Sequence, residues 1–340
     1  MDTSFVELMG WARLAVERCV ALKPGEQALI VSDTRAQEYR GATAFIQALM
    51  AAVRAGGGEP SLMLFTPRES QVVEPPAPVA HAMRASDVIF TLPSVPLTET
   101  EAMREALAAG ARVLLFGGAR GAGVDDDMLF RLAPLSEEEL DEAGRLATAI
   151  AAMLKQGREV HLTSELGTDL SLKVGDLGII AMDGRCDRPG AMQFYAPGLV
   201  NAGVTHGSAN GCVIFDASFA PLSGSLASTV IMTVRNGFVT DIAGGIAADT
   251  WKRFADRFGD PMVYNISEFG LGANRRARLV GKVVEEEAAY GVAHVGFGTD
   301  IAFGGDLRAA WHVDGCLTRA TVDVGGRRIC ENGELRLSVG

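Results

Sequence analysis

Three absences narrow the reading of this chain before any motif is sought. Cysteine is scarce and scattered: Cys19, Cys186, Cys212, Cys316 and Cys330 form no CxxC pair, which argues against thiolate zinc sites and disulfide frameworks. An odd number of thiols fits a reducing cytoplasm, where they serve as buried small hydrophobes. Clusters of Lys and Arg are missing from a chain of formal net charge -11, so nucleic acid is not an expected partner, because duplexes are bound by displacing counterions with grouped cations. Long apolar runs are missing too: none reaches the roughly 18 residues of a membrane span. The start MDTSFVELMG carries two acids and no basic stretch, so no secretory signal is expected. Neither GxGxxG between a strand and a helix nor GxxxxGK[ST] occurs, which leaves nucleotide binding without a fingerprint; the glycine-rich GGARGAGVDDD (117–127) reads as a loop.

What is present is globular. Hydrophobic residues make up 48% and charged residues 21% of 340 residues, a length that favours two domains, and many of the 40 glycines fall in the second half. Residues 1–155 alternate unbroken apolar runs (ALIV, SLMLF, DVIF, RVLLF) with amphipathic stretches such as GATAFIQALMAAVRAG and TEAMREALAAG. That rhythm predicts an α/β domain whose parallel sheet is covered on both faces. Gly56 and Gly110 stand where helix C-caps take a left-handed residue, and Thr98 and Glu99 open a helix whose N-terminus could face a ligand. Ser136 and Glu139 have capping-box spacing at the head of a long helix leading to residues 156–340. There the signals become strands, with Asn236-Gly237 and Gly325-Gly326 at hairpin turns and helices expected at 249–258 and near 282–289, so an α+β domain carrying the metal site is expected.

The chemistry points to that second domain. His312 and Asp314 lie two apart in AAWHVDGCL, so on a strand imidazole and carboxylate share a face and can reach one ion. His294 lies in the apolar run GVAHVGFGTD, and Glu268 in YNISEFGLGAN, where a carboxylate among apolar residues is costly unless paired or metal-bound. Glu268, His294, His312 and Asp314 are therefore the expected ligands of one divalent ion, or of two: zinc, ferrous iron or manganese. In the acidic run Glu285, Glu286 and Glu287, the last is the candidate base, beside Glu268. His206, between glycines in NAGVTHGSANG, is a candidate substrate contact with Thr98 and Glu99; His81 and His161 read as structural.

With those residues in place, the sequence resembles the superfamily that joins the aminopeptidase T metallopeptidases with the 2,5-dihydroxypyridine 5,6-dioxygenases. GDPMVYNISEFGLGANRRA, FGGDLRAAWHVD and NGCVIFDAS match the shorter, dioxygenase-containing branch best, as do ASDVIFTLPSVPLTETEA, GARVLLF and the total length. The resemblance implies for the dioxygenases a mononuclear ferrous ion held by a histidine in the segment matching ISEFGLG plus the HxD pair; here Glu268 replaces that histidine. Glu99 or Thr98 stands where a second histidine is expected, and His294 could restore a two-histidine set. For the aminopeptidases it implies two metals, with Glu268, His294, His312 and Asp314 at ligand positions and Leu199 or Val200 in place of a glutamate after Pro197-Gly198.

The ligand set favours a metal-dependent hydrolase of an amide-type bond, aminopeptidase-like or opening a cyclic amide, in which the ion polarises the carbonyl and activates water. The alternative is a non-haem iron(II) dioxygenase cleaving a hydroxylated N-heteroaromatic ring, in the catabolism of aromatic compounds. A third reading is a non-catalytic protein that binds a small ligand. The expected partners are a small-molecule substrate and further copies of the chain, most simply as a homodimer, with no nucleic acid and no membrane.

Overall fold

The computed structural model describes residues 5–38, 41–70, 72–116, 136–222 and 224–337; GGARGAGVDDD lies outside them. The described residues form two compact units, one holding those up to residue 140 together with 184–197, the other holding 141–183 and 198–337. In chain order the strands are β1 (Gln27–Asp33), β2 (Glu59–Phe65), β3 (Val88–Leu92), β4 (Arg112–Leu115), β5 (Glu159–Thr163), β6 (Asp169–Met182), β7 (Met192–Phe194), β8 (Leu199–Val204) and β9 (Asn210–Phe215). They continue with β10 (Val230–Arg235), β11 (Phe238–Ala243), β12 (Ile266–Gly272), β13 (Ala293–Gly298), β14 (His312–Leu317), β15 (Thr321–Val324), β16 (Arg327–Glu331) and β17 (Glu334–Leu335).

In the first unit, β2-β1-β3-β4-β7 form one parallel sheet. Strands β1, β3 and β4 are apolar on both sides because both faces are covered, whereas the edge strand β2, expected from SLMLF to be buried, leaves Leu62 and Leu64 exposed. Ala28 and Ile30 of β1 pack with Leu8, Ala12, Phe45 and Leu49, while Leu29 and Val31 pack with Val79, Met83, Met103 and Ala106. Helices Phe5–Leu14 and Ala42–Ala55 thus line one face, and Ala77–Arg84 and Glu101–Ala108 the other. The strand order switches between β1 and β3, where open sheets place ligands at the carboxyl ends. Here that corner is closed by the protein itself: buried Asp33 accepts from the Ala36 amide and from both the amide and hydroxyl of Ser94.

Two local expectations are corrected. The left-handed residue after Ala42–Ala55 is Gly57 (φ 83°), not Gly56 (φ -77°), while Gly110 (φ 98°) is left-handed as expected. The helix Glu101–Ala108 opens at Thr100, whose hydroxyl accepts from Met103 N, rather than at Thr98 and Glu99. Its next free amides, Glu101 and Ala102, donate to the Glu74 carboxylate, so the expected anion-binding helix start is filled from within the unit.

The second unit is built on a large antiparallel sheet, β14-β13-β12-β8-β6-β5-β15-β16-β17, with β9 pairing β6 and extending through β10 to β11. Asn236 and Gly237 (φ 49° and 82°) close the β10–β11 hairpin, and Gly325 and Gly326 (φ 55° and 79°) the β15–β16 hairpin. Helix Gly245–Asp256 buries Trp251 against Phe219, Phe297 and Trp311. The expected helix near 282–289 is a single turn, Val283–Glu286. Among the described residues no helix is long and apolar enough to cross a membrane.

Candidate metal centre

Register, more than any one motif, assembles the candidate site. Across β8, β12, β13 and β14 the pairing aligns Gly203, Glu268, Gly296 and Asp314 in one row, and Asn201, Gly270, His294 and Cys316 in the next. His312 opposes Gly298 one step further along. Residues two apart on a strand share a face, so all four expected ligands project from the same side of the sheet. Glycines between them make the room. A Cβ on Gly296 would come within 2.6 Å of Asp314 Oδ1 and 2.7 Å of Glu268 Cβ, and one on Gly270 within 1.9 Å of His294 Cε1. The strand glycines therefore leave the space into which donor atoms converge.

Glu268, only 4% exposed, is the hub: Oε1 lies 3.1 Å from His294 Nε2 and Oε2 2.9 Å from His312 Nε2. Asp314 Oδ1 is enclosed without a hydrogen bond, 3.5 Å from His312 Nε2. One donor atom each from Glu268, His294 and Asp314 lie within 4.8 Å of one another. His312 Nδ1 is 2.9 Å from the Thr299 carbonyl, which can only accept, so Nδ1 carries a proton and Nε2 faces the cluster, where it donates to Glu268 until an ion displaces its proton. Two imidazoles, two carboxylates and an enclosed carboxylate oxygen lacking a donor fit a divalent cation.

The electrostatics agree. Burial alone would raise the Glu268 carboxyl, yet hydrogen bonds from His294 and His312 outweigh it and hold it at about 2. Burial lowers both imidazoles, but contact with Glu268 and the charge of Asp314 bring them above the ordinary histidine value, His312 well above it. Glu287, just past the short helix, is pushed up to about 8 by burial and then by the negative charge of Asp314. Its neighbours make local bonds: Glu285 accepts from Arg278 N, and Glu286 accepts from Gly281 N through Oε1 while its Oε2 is enclosed without a partner among the described residues. Of the acidic run, Glu287 is the member electrostatically joined to the cluster.

These shifts fix a sign. In the metal-free protein the imidazoles keep their protons to a higher pH than free histidine, and a divalent ion requires them deprotonated. Metal uptake at neutral pH should therefore release protons, with affinity rising as pH increases from about 6 to 8. Titration calorimetry in two buffers of different ionisation enthalpy measures the release. Equal heats in both buffers would contradict it.

Of the remaining expected site residues, none is on β12–β14. Thr98 and Glu99 form the turn before Thr100 in the first unit. His206 pairs through Nε2 with the buried carboxylate of Asp300, which also accepts from Leu307 N, so its partner is structural. His161 meets Asp169 on the exposed side of β5 and β6. Sequence reasoning overlooked Asn201 and the clearing glycines, although the alternation in SEFGLG and HVGFG is visible as glycines at every second position.

A family model, NicX: 2,5-dihydroxypyridine 5,6-dioxygenase, matches residues 8–337. The chain belongs to this family. A 2,5-dihydroxypyridine 5,6-dioxygenase of Pseudomonas putida is 25% identical over 244 residues, which cover 68% of this chain and 66% of that relative. Among solved structures, a 2,5-dihydroxypyridine dioxygenase from Pseudomonas putida matches with a TM-score of 0.85 at 18% identity, covering 99% of both chains. AmpT from Thermus thermophilus matches with a TM-score of 0.66 at 15% identity, covering 98% of this chain and 99% of that one. Both structural likenesses establish a mixed α/β fold with a parallel and a large antiparallel sheet. The expectation of an amide hydrolase is overturned by the family match and by the Pseudomonas relative. Its structural counterpart, AmpT, shares the fold alone.

Proposed function

We propose that this family member is a mononuclear non-haem iron(II) dioxygenase that opens a small hydroxylated N-heteroaromatic ring. The observation that carries the reading is the two-imidazole, two-carboxylate face of β12–β14 in a chain matched to a dioxygenase family over residues 8–337. His294, His312 and one carboxylate, Asp314 or Glu268, would hold the ion. When bound there, ferrous iron would supply the redox chemistry through which dioxygen reacts with an electron-rich ring. Glu268 stands where the dioxygenases resembled by the sequence carry a histidine, and His294, one strand over, supplies the second imidazole.

The chain's own groups prepare the rest. Thr299 holds the His312 ring in one tautomer, and Glu268 orients both imidazoles. Glu287, whose carboxyl burial and the charge of Asp314 raise in the metal-free protein, is the chain's candidate for exchanging a proton with a ring hydroxyl. Glu268 and His294 are buried and His312 and Asp314 are mostly so, which keeps the donor set largely out of bulk water.

Oxygen consumption by the iron(II)-loaded protein, with 2,5-dihydroxypyridine and its positional isomers, tests this reading. About one dioxygen should disappear per ring lost, with the ring absorbance, and zinc-loaded protein should be silent. Iron-loaded protein that consumes no oxygen with any of these rings would contradict it.

A further inference from the structure

Among the described residues, two enclosed polar atoms beside the metal face, His294 Nδ1 and Asn201 Oδ1, have no hydrogen-bond partner. The register places their residues in one row, separated only by Gly270. The His294 ring lies over that glycine: a Cβ there would meet Cε1 at 1.9 Å and Nε2 at 2.2 Å. The imidazole thus leans from β13 across β12 toward β8, where Asn201 stands, and away from its other row neighbour, Cys316, whose Sγ faces the Val283 carbonyl at 4.0 Å.

A histidine that binds a metal through Nε2 carries its proton on Nδ1 and nearly always donates it to an oxygen. Left unmet in a buried setting, that N–H and the Asn201 carbonyl would each be costly. We propose that Asn201 is the positioning residue of the metal centre, its side-chain oxygen accepting from His294 Nδ1–H directly or across one bridging water and fixing the ring and tautomer that present Nε2 to the ion. The inference rests on the metal reading above. It also accounts for Gly270, since any side chain there would stand between donor and acceptor.

The test compares wild type, Asn201→Leu and Asn201→Asp. Iron(II) affinity is measured anaerobically by chelator competition, and the cobalt(II)-loaded proteins are examined by proton NMR for the paramagnetically shifted, exchangeable His294 N–H. Asn201→Leu should weaken iron binding about 10- to 100-fold and lose or broaden that resonance, while the metal-free melting temperature holds. Asn201→Asp, which keeps the acceptor, should restore both affinity and resonance. Wild-type affinity with an intact resonance in Asn201→Leu overturns the role of Asn201 and leaves the metal reading standing. A wild type that takes up no metal overturns both.

Discussion

His312→Ala is expected to empty the metal centre while leaving the fold in place. The imidazole reaches the cluster from the first residue of β14, with its Nε2 2.9 Å from Glu268 and 3.5 Å from Asp314, and its loss leaves the site a single imidazole, His294. Removing a ligand should cost more than the roughly 10- to 100-fold lost with an outer partner, so metal content after dialysis should be negligible and oxygen uptake abolished. The fold should survive, because Glu268 keeps its bond to His294 and the strand keeps its pairing with β13; a loss of about 1–3 kcal/mol is expected for the broken buried hydrogen bond. Elemental analysis beside a thermal melt separates the two effects. A variant that retains full metal content would remove His312 from the ligand set.

Gly270→Ala is expected to disable the site without touching a ligand. Its Cβ would fall 1.9 Å from His294 Cε1 and 2.7 Å from the Val200 carbonyl, so the imidazole cannot stay and the backbone of β8 resists moving. Overpacking of this kind costs about 1–3 kcal/mol, and the displaced ring should take metal affinity down with it. Gly10→Ala is the control. It lies in a helix with nothing within 4 Å of the added carbon, and should be neutral or stabilising by about 0.5–1 kcal/mol. Denaturation midpoints and iron(II) affinity for both variants check the contrast; Gly270→Ala with undiminished affinity would mean that His294 is not held over this glycine.

Much of this architecture was legible because its causes are local. Unbroken runs such as ALIV and VIF announce strands covered on both faces, and Asn236-Gly237 and Gly325-Gly326 announce hairpins. The three-residue β7, which returns residues 184–197 to the first unit, carries too short a pattern to read. Helix starts were harder: Thr98, Glu99 and Thr100 all suit a cap, and Glu74, distant in sequence, takes the next amides.

For the site, the cost of burying Glu268 and the HxD spacing at His312 pointed to ligands, and the structure brings those residues together with His294. Their mutual register was not legible, since nothing local says that Gly296 sits between Glu268 and Asp314. Asn201 was missed because nothing in LVNAGV marks its side chain for the metal face, which only the pairing of β8 with β12 reveals. The hydrolase reading failed for a chemical reason: imidazoles and carboxylates suit Lewis-acid hydrolysis and oxygen activation alike, so donor identity does not select the reaction.

The most direct test of the central claim is the metal content of protein purified anaerobically without added metal, by elemental mass spectrometry. The account predicts about one iron per chain, lost in His312→Ala. Stoichiometric zinc in place of iron, or no bound metal at all, would contradict it.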